Sequence, residues 1–140
     1  VGPTGMFITA AIYHLDCGSR RVHLTSAGHT PGMLYRAATG AVEMLDSDGP
    51  PLGFMAGSPF TSQERQLERG DVLLLYTDGI SEAANADCDM YGEERLAGVL
   101  RQHAGSAAEQ LLAAVRTDLA AFTGRDRYED DVSLSILRVD

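Results

Sequence analysis

The sequence predicts an α+β domain built on a largely antiparallel sheet. Short strand-like segments joined by turns fill the first half of the chain, and two helical segments and one more strand follow. Strands linked by hairpins form antiparallel sheets. A parallel sheet would show a repeated strand-helix unit, and the sequence has no such repeat. With 140 residues, 44% of them hydrophobic, the chain can bury a core, so residues 1–140 are expected to form one domain.

The first strands follow from the alternation of apolar residues. Residues 6–15 are apolar at both odd and even positions, which predicts a strand covered on both faces. Residues 21–27 alternate in polarity and follow a turn at 16–19, so the two segments form a hairpin. Residues 33–36 and 41–45 predict two short strands around a second turn.

The middle of the chain contains its least regular and its most apolar segments. Glycines and prolines interrupt residues 46–59, which excludes a helix or a central strand there. Residues 60–67 predict a further strand. Residues 72–76 are continuously apolar and predict the most buried strand, which Thr77, Asp78 and Gly79 end.

The last third changes to a helical period. Residues 93–103 and 106–122 have apolar side chains at helical spacing, and the second segment begins with a capping-box pattern at Ser106 and Glu109. Gly124 is expected to end that helix. Residues 132–139 predict the final strand.

The composition excludes several classes of function. A net charge of -9 makes a nucleic-acid binder unexpected, and no apolar run approaches the ~18 residues of a membrane span. All 11 basic residues are arginines, so mechanisms that need a lysine, such as a Walker loop or a Schiff base, are excluded. The two cysteines, Cys17 and Cys88, form no disulfide framework or metal motif, which favours a reducing cytoplasm.

Two acidic positions stand out as a candidate site. Asp78 follows the most buried strand, and Asp130 and Asp131 precede the final strand. If these strands are neighbours, the carboxylates converge at one edge of the sheet, where Mg²⁺ or Mn²⁺ would offset their repulsion. The spacing alone is more typical of an Asp-Gly turn at Asp78 and a solvated acidic loop at Asp130 and Asp131 than of a metal site.

Other reactive residues are weaker candidates. The four histidines lack zinc-site spacing, and His29 is expected to be a loop residue that bonds the backbone. Cys88 lies between two acidic residues, Asp87 and Asp89, which makes this thiol a poor nucleophile candidate. Ser26 and Ser81 lack the context of a hydrolase nucleophile.

An ordered set of motifs resembles a known enzyme family. The motifs are Ser-Ala-Gly-His-Thr-Pro-Gly at 26–32, Pro-Leu-Gly at 51–53, the block at 70–83 with Tyr-Thr-Asp-Gly, Tyr-Gly-Glu-Glu-Arg-Leu at 91–96, and Asp-Asp-Val-Ser-Leu at 130–134. The chain resembles the PPM-type metal-dependent serine/threonine protein phosphatases, in the bacterial branch of the sporulation stage II E and sigma-factor-regulating phosphatases.

The resemblance implies an α-β-β-α sandwich of antiparallel sheets flanked by helices, with a binuclear Mg²⁺ or Mn²⁺ site. Asp78 and Asp130 match metal ligands and are the expected catalytic residues. Gly79 and Asp131 are expected to lie beside them, Asp131 binding metal only in some relatives. Glu82 matches a family position without an assigned role. Two cations ~4 Å apart would clamp the phosphate and activate a water, so no protein nucleophile is needed.

The resemblance also implies a substrate and an incomplete site. The expected substrate is a phosphoserine or phosphothreonine protein, such as an anti-sigma-factor antagonist. The family begins with a strand, an aspartate ligand and two helices that have no match here, so this chain alone is expected to be inactive. A second copy pairing with the uncovered sheet edge would form a homodimer. The alternatives are a non-catalytic phosphatase-like binding module and a receiver domain, and the missing lysine argues against the latter.

Overall fold

The computed structural model describes residues 6–46, 48–124 and 131–140 of the chain. The strands are β1 (Ala10–Asp16), β2 (Arg21–Ala27), β3 (Gly32–Tyr35), β4 (Val42–Leu45), β5 (Gln63–Gln66), β6 (Val72–Tyr76) and β7 (Leu134–Arg138), and the helices are α1 (Asp78–Ser81), α2 (Glu93–His103) and α3 (Ala108–Thr123). The chain forms two compact units, residues 1–31 with 44–68 and residues 32–43 with 69–140. Within the described ranges, no helix is long and apolar enough to cross a membrane.

The first unit contains a three-stranded sheet in the order β1-β2-β5. β1 and β2 pair antiparallel from Ala10↔Ala27 to Asp16↔Arg21, which confirms the predicted hairpin. At its turn, the Asp16 carboxylate accepts the N–H groups of Gly18 and Ser19 at 2.9 and 3.2 Å. Hydrogen bonds from Ser19 and Gly18 lower the pKa of Asp16. The turn is therefore closed by a local side-chain contact.

The prediction that residues 6–15 form a strand covered on both faces is wrong. β1 begins only at Ala10, and Ile12 is 69% exposed. Phe7 and Ile8, which precede the strand, are also exposed. β1 is the edge of its sheet, and in the part of the chain that the structure describes nothing covers the Ile12 face. An apolar pattern shows that a face can be buried, and what covers it depends on the rest of the fold.

The second sheet has four strands in the order β4-β3-β6-β7. β6 pairs antiparallel with β3 and with β7, so a strand lies on each side of it. Val72, Leu73, Leu74 and Tyr76 are buried, which confirms that 72–76 is a buried central strand. Its last residue pairs with the first residue of β7, Tyr76↔Leu134. The strand before Asp78 and the final strand are therefore neighbours, which is the condition for Asp78 and the residues before β7 to lie at the same edge of the sheet.

Helices α2 and α3 cover part of this sheet. Their buried residues form one apolar cluster with β6 and β3, and its largest members are Met33, Leu74, Tyr76, Ile80, Tyr91, Leu96, Leu100, Leu111 and Leu119. Helix α2 has the predicted bounds. Gly124 ends α3 in the left-handed conformation, with φ 64°, as predicted. The predicted α+β class with antiparallel pairing is confirmed.

The predicted capping box at Ser106 and Glu109 is wrong by one residue. Helix α3 begins at Ala108, and the N–H of Ala107 donates to Gln110 Oε1 at 3.2 Å. Ser106 belongs instead to the turn after α2, where its N–H donates to the His103 carbonyl. Because alanine has no side-chain acceptor, only half of a capping box is formed.

Candidate functional site

The candidate site is the corner where β6 ends and α1 begins. The carbonyl of Thr77 accepts the N–H of Ile80 at 3.0 Å, and the carbonyl of Asp78 accepts the N–H of Glu82 at 2.8 Å. These bonds turn the chain into a helix of four residues directly after the buried strand. The sequence predicted only that the strand ends here. The helical turn leaves the Asp78 side chain exposed at the surface while Gly79 and Ile80 are buried.

The residues before β7 lie against this corner. The hydroxyl of Thr77 donates to the Asp131 carbonyl at 3.1 Å. A Cβ added to Gly79 would lie 2.5 Å from the same carbonyl oxygen, closer than real Cβ atoms approach. Only glycine therefore allows the Asp131 peptide to pack on the start of α1. The structure thus brings Asp78, Gly79 and Asp131 to one corner.

Asp130 lies outside the described residues, so its predicted place beside Asp78 stays a prediction. In the described ranges, no group of three or more histidine, cysteine, aspartate and glutamate side chains could hold a metal ion. The described part of the predicted ligand set is Asp78, with Asp131 beside it.

The electrostatic surroundings of Asp78 fit a cation. One oxygen, Oδ1, accepts the N–H of Gly79 at 3.0 Å. Among the described residues, no arginine or histidine forms an ion pair with Asp78. An exposed carboxylate with a fixed orientation suits Mg²⁺ or Mn²⁺, which prefer oxygen ligands and keep several waters. The chemistry of the donors at this corner therefore fits a divalent cation.

Two contacts join the corner to α2. The Tyr76 hydroxyl donates to Glu93 Oε1 at 3.1 Å, and the N–H of Gly92 donates to the Ser81 carbonyl at 2.9 Å. Both contacts place the start of α2 beside the end of β6 and α1. The corner is therefore connected to the apolar core through α2.

A second charged cluster lies between α2 and α3. Asp118 accepts hydrogen bonds from Arg95 Nε at 2.8 Å and from the Tyr91 hydroxyl at 2.7 Å. The Arg95 guanidinium lies over the Tyr91 and Phe122 rings, 5.5 and 4.8 Å from their centroids. The hydrogen bond from Arg95 lowers the pKa of Asp118, and burial with the Asp118 contact raises that of Tyr91. No local sequence pattern reveals this cluster, because Asp118 lies 27 residues after Tyr91 in the chain.

The remaining candidates lie elsewhere. His29 belongs to the first unit, where its N–H donates to Ser26 Oγ at 3.2 Å and its ring contacts Thr9 Oγ1 at 3.3 Å. His29 is a loop residue, as expected, but its ring contacts the side-chain hydroxyl of Thr9 where a backbone partner was predicted. Cys17 and Cys88 are exposed and free. Glu82 is exposed just after α1, and its backbone N–H caps that helix.

The fold is that of PP2C-type phosphatase domains. The SiaA-PP2C domain of Pseudomonas aeruginosa is similar with a TM-score of 0.82 and 23% identity over 94% of this chain and 52% of that one. The phosphatase domain of SpoIIE from Bacillus subtilis, presoaked with Mn, has a TM-score of 0.67 and 18% identity over 94% and 56%. RsbX in complex with magnesium has a TM-score of 0.63 and 16% identity over 91% and 54%. At these identities the similarity shows the fold.

The chain belongs to the family of stage II sporulation protein E (SpoIIE), whose model matches residues 2–140. The phosphoserine phosphatase RsbU of Bacillus subtilis is 25% identical over 95% of the chain. The protein IcfG of Synechocystis is 27% identical over 98% of it. The chain spans 39% of RsbU and 22% of IcfG. The resemblance predicted from the motifs is confirmed.

Proposed function

We propose that this chain is part of a phosphatase domain that hydrolyses phosphoserine or phosphothreonine on a regulatory protein. The observation that carries the proposal is the corner of β6, α1 and β7 in this SpoIIE-family chain. There Asp78 meets residues 131–133, the segment that leads into β7 and is called the Asp131 segment below. The relative RsbU, a phosphoserine phosphatase, supports the reaction class. We infer that the target resembles an anti-sigma-factor antagonist and that the protein acts in the cytoplasm.

We assign Asp78 and Asp130 to a binuclear divalent site as its ligands in this chain. The SpoIIE and RsbX structures, with Mn and magnesium, support this cofactor class. When bound, such cations neutralise the phosphate oxygens and lower the pKa of a water. Asp78 would hold its place through the Gly79 N–H on Oδ1. Asp131 would contribute by its backbone, which packs on Gly79.

The reaction needs no protein nucleophile. A water oxygen bonds to phosphorus as the bond from phosphorus to the seryl oxygen breaks, and a proton passes to that oxygen. The products are a free seryl hydroxyl and inorganic phosphate. The exposed corner leaves room for a phosphorylated segment of another protein, because Asp78 and Asp131 are both exposed.

The 140-residue chain alone is expected to be inactive and to bind one divalent cation weakly at most. Two carboxylates supply too few ligands for a binuclear site. The test is phosphate release from a phosphoserine peptide with Mn²⁺. We would assay this chain and a form extended upstream, each also as the Asp78→Asn variant. The extended form should hydrolyse the peptide, and Asp78→Asn should lower its rate at least about 100-fold. Loss of a residue that merely orients a metal ligand already lowers activity or metal affinity about 10- to 100-fold, and Asp78 is proposed as a ligand itself.

Three results would each contradict a part of this proposal. An extended form that binds its phosphoprotein partner without hydrolysing it would instead support the non-catalytic binding module. Equal activity of Asp78→Asn and the parent would remove Asp78 from the site. Calorimetric titration of the 140-residue chain tests whether its metal site lacks ligands. Tight binding of two cations would contradict that proposal.

The proposed homodimer can be tested separately. β1 is the edge of its sheet and carries the exposed Ile12, so a second copy would pair there. In that case Ile12→Glu should shift a dimer to monomer in sedimentation measurements. A monomeric parent chain would contradict the dimer.

A further inference from the structure

Thr77 replaces a ladder hydrogen bond with its side chain. Beyond the last ladder pair, Tyr76↔Leu134, the N–H of Thr77 still donates to the Ser133 carbonyl at 3.1 Å. In a regular antiparallel pair the N–H of Ser133 would donate back to the Thr77 carbonyl. That carbonyl instead accepts the N–H of Ile80 at 3.0 Å, because the chain has already turned into α1.

The Thr77 hydroxyl takes over the missing role. It accepts the N–H of Ser133 at 3.0 Å and donates its proton to the Asp131 carbonyl at 3.1 Å. One hydroxyl can donate once while it accepts, so both bonds form together. The strand can therefore become a helix at Thr77 without leaving the Ser133 amide unpaired.

The same hydroxyl fixes the peptide that precedes β7. The Asp131 carbonyl lies between the Thr77 hydroxyl and the Cα of Gly79, where no Cβ fits. Asp78 stands between these two residues in the chain. The position of the Asp131 segment relative to Asp78 thus depends on one side-chain hydroxyl and one glycine.

We propose that Thr77 is a positioning residue that holds the Asp131 segment beside Asp78 and so preorganises the cation site. The inference rests on the proposed function, because it concerns the same site. Thr77 is not a catalytic residue: it acts through the backbone of Asp131 and Ser133. Residues that orient metal ligands without touching the metal typically lower metal affinity about 10- to 100-fold when they are replaced.

The test compares three variants of the full-length protein. Thr77→Val keeps the shape of the side chain and removes the hydroxyl, and Thr77→Ser keeps the hydroxyl. The matched control is Thr39→Val, because Thr39 Oγ1 also accepts a backbone N–H, that of Ala41 at 3.3 Å. Thr39 lies in the β3–β4 turn, at the opposite end of the sheet from the corner.

Two measurements are needed. Without metal, amide hydrogen exchange at Ser133 should be at least about 10-fold faster in Thr77→Val, since its acceptor is lost, and near the parent rate in Thr77→Ser. In a Mn²⁺ titration, Thr77→Val should bind about 10- to 100-fold more weakly, whereas Thr77→Ser and Thr39→Val should bind like the parent. A structural role alone would not separate Thr77→Val from Thr39→Val in metal affinity.

The failures can be told apart. Equal Mn²⁺ affinity of Thr77→Val and a Mn²⁺-binding parent would overturn the positioning role and leave the proposed function standing. Unchanged exchange at Ser133 in Thr77→Val would overturn the hydrogen bond on which the role depends. A parent protein that binds no Mn²⁺ and hydrolyses no phosphoserine would overturn the proposed function, and the positioning role with it.

Discussion

Three aspartates of the second unit differ in what compensates their charge. Asp71 is buried and accepts hydrogen bonds from Arg36 at 3.1 Å and from the N–H of Ala37 at 2.9 Å. Asp118 is bound by Arg95 and Tyr91. Asp78 is exposed, and within the described residues only the N–H of Gly79 donates to its carboxylate.

This comparison separates structural carboxylates from a candidate ligand. A carboxylate held by an arginine adds to stability and has few oxygen lone pairs left for a cation. A carboxylate that is oriented but unpaired adds little to stability, and its charge is available to a ligand. The comparison predicts that Asp71 and Asp118 matter for folding and Asp78 for binding.

The largest effect on stability is expected at Asp71. Asp71→Ala leaves the Ala37 N–H without this acceptor and removes the buried partner of Arg36, so it should lower the free energy of unfolding by about 3 kcal/mol. The control is Glu43→Ala, because Glu43 pairs with the same arginine at 3.2 Å but is partly exposed. It should cost less than about 1 kcal/mol. Urea unfolding measures both, and equal losses would contradict the distinction.

A smaller effect is expected at Gly79. Gly79→Ala forces its Cβ against the Asp131 carbonyl, and overpacking of this kind costs about 2 kcal/mol. Gly98 is the matched control, because it lies inside α2 with nothing within 4 Å of an added Cβ. Gly98→Ala should stabilise the helix by up to about 1 kcal/mol. The two alanines should thus change the unfolding midpoint in opposite directions, and a shared direction would contradict the close packing at the corner.

The smallest effect is the pH dependence of Asp118. The hydrogen bond from Arg95 lowers the pKa of Asp118 in the folded state. The ionised Asp118 therefore stabilises the fold at neutral pH, and at any pH above the pKa that this carboxyl has in the unfolded chain. The contribution is lost as the pH falls through the lowered pKa. The difference in unfolding free energy between the parent and Asp118→Asn should be at most about 1 kcal/mol at pH 7, since both partners are partly exposed. It should shrink at acidic pH, and a difference that grows there would contradict the pairing.

Much of the second unit could be predicted because its patterns are local. The continuous apolar segment of β6 and the helical period of α2 each determine their own element. Asp78 was found for the same reason, because a carboxylate at the end of a buried strand is conspicuous in the sequence. The antiparallel β6–β7 pairing then placed the Asp131 segment beside it.

The remaining features depend on tertiary contacts. Four residues are too few for a helical period, so α1 was missed. The exposure of Ile12 on β1 depends on which elements cover that face, and its apolar pattern cannot show this. The hydroxyl of Thr77 acquires its role only when Ser133 is brought alongside, 56 positions later in the chain.

The assignment of the cation site is tested most directly by Mn²⁺ binding. The upstream-extended protein (the parent) and its variants Asp78→Asn and Asp118→Asn would be titrated under identical conditions. We expect Asp78→Asn to lose Mn²⁺ binding while its unfolding free energy changes by less than about 0.5 kcal/mol, as for an exposed surface residue. Asp118→Asn should keep the affinity of the parent. Undiminished Mn²⁺ binding by Asp78→Asn would contradict the assignment of this corner as the cation site.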